Sequence, residues 1–94
     1  MKLKTTPFDP ADFLDTTESQ IELLADAVES GDSGYIANAL GTIARARGMA
    51  KVAQETGLTR QALYRSLSKT GDPRLTTLLS VAKSLGLKLS FKAA

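Results

Sequence analysis

The chain has no cysteine and no histidine among its 94 residues, and aromatic side chains make up only 5% of it. Without thiols there is neither a disulfide framework nor a thiolate zinc site, and without imidazole there is neither a histidine metal ligand nor a histidine general base. No apolar run approaches the roughly 18 residues of a membrane span, and the first residues lack the apolar centre of a signal peptide. A cytoplasmic protein that is not an enzyme and holds no cofactor is therefore the expectation. A chain of this length buries roughly 60–65% of its unfolded surface, which suffices for one core.

Acidic residues are scarce after position 32. Residues 1–32 carry Lys2 and Lys4 against eight acids, a net of −6, whereas residues 33–94 carry ten basic residues against Glu55 and Asp72, a net of +8. The overall charge of +2 conceals this division. A basic C-terminal two-thirds suits a polyanion, and an acidic N-terminal third suits something else, so two different partners are expected.

The chain is organised around MAKVAQETGLTRQALYRSL, residues 49–67. Met49, Val52, Ala53 and Thr56 share one helical face, and Ala62, Leu63, Ser66 and Leu67 share one face of a second helix. Between them Gly57 can end a helix in the left-handed conformation, Leu58 supplies an apolar plug, and Thr59 can cap the next helix. This spacing predicts a helix-turn-helix over residues 49–68. On the outer face of its second helix, Arg60, Gln61, Tyr64, Arg65 and Ser68 fall at i, i+1, i+4, i+5 and i+8, and none is acidic. Arg can pair with guanine O6 and N7, and Gln with adenine N6 and N7, in the DNA major groove. A small amphipathic helix with a solvated basic face is the plainer alternative.

From its start, the chain opens with Lys2-Leu3-Lys4-Thr5-Thr6, an extended arm or short strand before Pro7. Asp9-Pro10 then caps a single turn bearing Phe13 and Leu14. Residues 1–16 thus read as an arm with one helical turn, and residues 17–94 as a helical domain. Phe8 and Phe13 either anchor the arm or grip a partner. Thr17-Glu18-Ser19-Gln20 fits a capping box for a helix to about Ser30, with Ile21, Leu24, Ala25 and Val28 as its buried stripe. Glu18, Glu22, Asp26 and Glu29 line the other face as an acidic ridge, either a solvated surface or a dock for a basic protein. Asp32 or Ser33 caps a second helix ending near Arg47, with Gly48 past its end. Its stripe is Ile36, Ala39, Leu40 and Ile43, and Ala37, Gly41 and Ala44 form a small flank for close packing. Arg45 and Arg47 favour the helix dipole and can approach a bound backbone.

Beyond the motif, Ser68-Lys69-Thr70-Gly71 is a basic loop. Asp72-Pro73 predicts the opening of a fifth helix whose stripe is Leu75, Leu78, Leu79 and Ala82. Val81 and Leu85 widen that stripe beyond one core contact. Gly86 ends the helix, and residues 87–92 alternate as a half-buried strand that needs a partner, either residues 2–6 or its own copy across a two-fold axis. A dimer interface is therefore expected at Leu78, Val81, Leu85, Leu87, Leu89 and Phe91.

Four segments, FDPADFLD, IARARG, GLTRQALYRSLS and GDPRLTTLL, carry a resemblance that spans the chain. The sequence resembles the addiction-module antidotes, HigA-like antitoxins with a Cro/lambda-repressor-type helix-turn-helix. The expected fold is a mainly α, lambda-repressor-like domain of about five helices with a short C-terminal β-strand at residues 87–92, residues 2–6 being an extended arm or a short N-terminal strand. The resemblance also implies binding to a small toxin of the RelE/ParE fold and repression of the antidote's own operon through a palindromic operator. Residue by residue, it places Thr59, Arg60, Gln61, Tyr64 and Arg65 at the operator, the set the helical face selects by itself. Lys51 stands where many relatives of the broader repressor class have glutamine, and Ser66 occupies a commonly apolar spot with Leu67 beside it as the anchor.

The full expectation is a homodimeric antitoxin that reads double-stranded DNA with Thr59, Arg60, Gln61, Tyr64, Arg65, Ser68, Lys69, Lys51 and Arg47. It meets a basic toxin through Phe8, Phe13, Glu18, Glu22, Asp26 and Glu29. A stand-alone helix-turn-helix repressor without a toxin is the alternative. A cation-dependent enzyme is more remote, because Asp9, Asp12 and Asp15 share a short segment with no preformed pocket.

Overall fold

The computed structural model describes residues 16–94. Among the described residues are five helices: α1 (Thr17–Ser30), α2 (Ser33–Arg47), α3 (Met49–Thr56), α4 (Arg60–Ser66) and α5 (Leu75–Ser84). The arm, its turn and the strand expected at residues 2–6 lie outside the described residues.

Local chemistry sets most of the helix ends. Asp32 caps α2, its carboxylate accepting from the backbone N–H of Gly34 (2.9 Å) and of Tyr35 (3.3 Å). Gly57 closes α3 at φ +75°, a left-handed conformation that costs other residues about 1–2 kcal/mol. Thr59 caps α4, its hydroxyl oxygen accepting from the Ala62 N–H at 3.0 Å. At the start of α1 the cap is Thr16, one residue before the expected Thr17, and it accepts from the Ser19 N–H at 3.0 Å.

One core joins α2, α3, α4 and α5. Ile43, Val52, Leu63, Val81 and Leu85 are its largest fully buried side chains, each worth roughly 1.5–3 kcal/mol by removal from water. α2 runs through the centre, with Ala37, Ala39, Leu40, Gly41, Ile43 and Ala44 all buried. The expected small flank of α2 faces the chain that leaves α4: a methyl on Gly41 would collide with the Leu67 carbonyl, and one on Gly34 with the Lys69 carbonyl. Glycine at these two positions lets the backbone of residues 67–69 lie directly on the helix. Among the described residues no buried side-chain nitrogen or oxygen lacks a hydrogen-bond partner.

Expectations are corrected at three places, α1, α5 and the C-terminus. The inward face of α1 consists of Gln20, Leu23, Leu24 and Ala27, while Ile21, Ala25 and Val28 face outward. On the inward side Leu23 and Leu24 pack against the core, Ala27 is fully buried, and buried Gln20 accepts from Arg47 Nε at 2.7 Å. α5 is turned likewise. Val81 and Leu85 sit in the core where α5 packs on α3, leaving Leu75 and Leu79 exposed, and Ser84 Oγ donates to Glu55 of α3 at 2.6 Å. The helix also starts at Leu75 rather than at Pro73, because Arg74 is still extended (ψ 154°) and only its carbonyl begins the bonded series, accepting from Leu78 at 2.9 Å.

The third correction concerns the C-terminus, where the described residues contain no strand. Gly86 (φ +72°) reverses the chain after α5, with the Gly86 N–H bonding the Lys83 carbonyl (3.0 Å) and the Leu87 N–H the Ala82 carbonyl (2.8 Å). This pair of bonds is a Schellman closure, which folds Leu87 back over α5. Residues 87–92 form part of a surface instead. Leu87 and Leu89 line an apolar groove, and Lys88 stands at its edge.

Candidate nucleic-acid interface

The outer face of α4 is built from its cap outward. The Leu63 N–H bonds the Thr59 carbonyl (3.0 Å) while the Thr59 hydroxyl holds the Ala62 N–H, so the first turn is fixed at both levels. Leu63 (0% exposed) and Leu67 (2%) anchor the inner side, and Leu58 is a half-buried plug beneath the turn. Ser66 is half-buried, and its hydroxyl donates to the Ala62 carbonyl at 2.9 Å.

With the inner side so held, Arg60, Gln61, Tyr64 and Arg65 are all exposed. Thr59 is exposed with its hydroxyl oxygen engaged as the cap, and Ser68 is half-buried with its hydroxyl donating to the Arg65 carbonyl at 3.0 Å. These two hydroxyls shape the ends of α4. Lys69 projects from the turn that follows, closed by the Gly71 N–H on the Ser68 carbonyl (2.9 Å), and Lys51 is exposed on α3. The outer face thus offers two guanidiniums, one carboxamide and one phenol, with no acidic side chain on α4.

Arg47 is placed differently from the rest of the expected set. Besides its bond to Gln20, its Nη1 donates to the Leu85 carbonyl at 3.0 Å. One exposed guanidinium at the end of α2 thereby fastens α1 and the end of α5. Arg45 Nη2 lies 3.4 Å from Thr42 Oγ1 along the same helix.

The acidic ridge is on the surface. Glu18, Glu22, Asp26 and Glu29 are exposed along α1, and the Tyr35 hydroxyl donates to Asp26. That hydrogen bond, with partial burial and the carboxylate's charge, raises the Tyr35 pKa above its usual value near 10. Phe8 and Phe13 lie outside the described residues. Of the residues expected at a dimer interface, Val81 and Leu85 are enclosed in the protomer's own core and have no surface to offer a partner. Leu78 and Leu87 are half-buried, Leu89 is 46% exposed and Phe91 is 90% exposed.

Sequence reasoning missed the uncovered strip of Ile21, Ala25 and Val28, which it had assigned to the core. No local signal marks it, because the partner of Gln20 lies 27 residues away. Among the described residues there is no group of three or more acidic side chains placed to hold a metal ion. No described helix is long and apolar enough to cross a membrane.

The family model described as "Probable addiction module antidote protein" matches residues 4–93. A protein of Haemophilus influenzae (strain ATCC 51907 / DSM 11121 / KW20 / Rd), described as uncharacterized, is 42% identical over 82 residues, covering 86% of this chain and 84% of its own length. No solved structure matches the chain.

Proposed function

Because this chain belongs to the addiction module antidote family, we propose that it is the antitoxin of a type II toxin–antitoxin module. In this reading it has two activities: it neutralises a small basic toxin of the RelE/ParE fold, and as a cytoplasmic homodimer it represses its own operon. It is a binding protein with no catalytic role.

The observation that carries the DNA activity is the capped, doubly anchored α4 with Arg60, Gln61, Tyr64 and Arg65 outward. We read α3, its turn and α4 as a HigA-like, Cro/lambda-repressor-type helix-turn-helix. Two copies of α4 enter successive major grooves about 34 Å apart on a palindromic operator. Arg60 and Gln61 read base edges, while Lys69 and Lys51 meet phosphates and set the register. A site built this way shows two kinds of loss. Gln61→Ala costs about 1–3 kcal/mol on the operator and relaxes one base position, whereas Lys69→Ala weakens every sequence alike and flattens the salt slope by about one unit. Anisotropy titrations on operator and random duplexes across salt concentrations measure both. Equal losses on both duplexes for both variants would remove Gln61 from base reading.

The toxin activity is supported by the exposed ridge of Glu18, Glu22, Asp26 and Glu29. A RelE/ParE-like toxin that works on or beside nucleic acid carries positive charge, and complementary fields accelerate encounter. Phe8 and Phe13, close before the ridge in sequence, supply the apolar part of the contact. A stand-alone repressor needs no such ridge, and family membership favours the module.

A further inference from the structure

The described residues leave six large apolar side chains uncovered on α1, α5 and the C-terminal segment: Ile21 (49% exposed), Val28 (58%), Leu75 (63%), Leu79 (45%), Leu89 (46%) and Phe91 (90%). Two adjoining hollows that share Leu24, Val28, Leu87 and Lys88 make up one groove, the first part lined also by Leu79 and Leu89, the second by Ile21, Glu29 and Lys92. Leu75 lies one turn before Leu79 on the same side of α5. The four that line the groove, Ile21, Val28, Leu79 and Leu89, are each 45–58% exposed, an uncovered apolar strip of the kind that marks an interaction surface. Both flanking helices carry apolar surface wider than the protomer's own packing uses, and both surpluses face this groove.

The rims decide what covers it. Glu29 of α1 stands on one edge, in line with the acidic ridge, and Lys88 and Lys92 of the C-terminal segment stand on the other. A uniformly basic partner would satisfy one rim and be repelled by the other. A second copy of this chain, turned by a two-fold axis, lays its acidic edge over the first copy's basic edge and its basic edge over the first copy's acidic one. Both rims are then matched at once, as an isologous contact requires.

We propose that this groove is the homodimer interface, with Ile21, Val28, Leu79 and Leu89 at its centre and Glu29 facing Lys88 of the other copy. The proposal deepens the homodimer reading above, moves the interface away from Val81 and Leu85, and takes Glu29 into the dimer, leaving Glu18, Glu22 and Asp26 as the ridge open to a toxin. No residue of α3 or α4 lines the groove. Pairing there leaves both outer faces of α4 free for a duplex.

The pairing is tested by charge reversal on the full chain, followed by sedimentation in the absence of DNA and toxin. Glu29→Lys and Lys88→Glu change exposed side chains, so folding is retained. Each variant alone places like charges opposite each other twice per dimer, and its dimer dissociation constant rises about tenfold or more. Mixing the two variants makes both facing pairs attractive again, so a heterodimer forms with near wild-type affinity. A dimer indifferent to either reversal, or weakened variants that fail to restore each other when mixed, would overturn the interface while leaving the dimer itself standing. A wild-type chain that is monomeric at every concentration would remove the homodimer reading as well. In that case another partner covers the groove.

Discussion

Replacing Arg47 with alanine separates bracing from phosphate binding. The guanidinium leaves the end of α2, donates to Gln20 of α1 at 2.7 Å and to the Leu85 carbonyl after α5 at 3.0 Å. Hydrogen bonds from a charged donor contribute about 1.5–3 kcal/mol each, and the solvent exposure of Arg47 puts both at or below the lower end. The favourable charge at the C-terminal end of α2 adds about 0.3–1 kcal/mol. The net loss for Arg47→Ala is thus about 2–3 kcal/mol, and at about 4–8 °C per kcal/mol for a domain of this size Tm falls by roughly 10–20 °C. Arg47→Lys keeps the charge but not the two-armed geometry, and loses about half as much. Thermal melts by circular dichroism give the first reading. Operator affinity against salt, taken where all three proteins are folded, gives the second. Bracing predicts a lowered Tm with an unchanged salt slope. An unchanged Tm with a slope shallower by about 0.9, the signature of one lost phosphate contact, would refute the bracing argument.

Other outcomes follow from the same geometry. Gly41→Ala gains about 1 kcal/mol of helix propensity but drives a methyl into the Leu67 carbonyl, a backbone atom that cannot swing aside. Overpacking of about 1–3 kcal/mol wins, so the variant melts lower than wild type, and equal or higher stability would show that the seam can open. The raised Tyr35 pKa means its contribution to stability is fully present below pH 10 and is lost as pH climbs through the higher folded value. Asp26→Asn removes the acceptor charge, so the tyrosinate absorbance of Tyr35 should appear at lower pH; an unmoved titration would deny the coupling. Reversing Glu18 and Glu22 to lysine should slow toxin association, seen in stopped-flow or surface binding, and leave operator affinity intact. No change in on-rate would reduce the ridge to a solvated face.

What the sequence made legible was chemistry acting over three or four residues. The Asp32 and Thr59 caps, the left-handed Gly57 and the exposure of Arg60, Gln61, Tyr64 and Arg65 each depend on local spacing, and the structure places them accordingly. Rotation of a helix about its own axis was not legible. On α1 the more apolar stripe, Ile21-Leu24-Ala25-Val28, was the natural choice for the interior, yet the helix turns Leu23, Leu24 and Ala27 inward together with Gln20, whose partner Arg47 lies 27 residues away. α5 shows the same error, because its packing on α3 selects Val81 and Leu85 over Leu75 and Leu79. The terminal alternation misled for a different reason. Period-two patterning matches a strand but does not require one, and after the Gly86 reversal residues 87–92 run along a groove with both parities lining it and enter no sheet.

The seating of residues 67–69 on Gly34 and Gly41 has a consequence for how such a domain can diversify. Carbonyl oxygens resting on bare α-carbons fix the pose of α4 through main-chain atoms, so that pose does not depend on which amino acids occupy positions 60, 61, 64 and 65. In the operator reading proposed above, those four positions are interchangeable lettering on a fixed typeface: an altered operator preference would be acquired by substitution there, one position at a time, without re-engineering the mount that presents them.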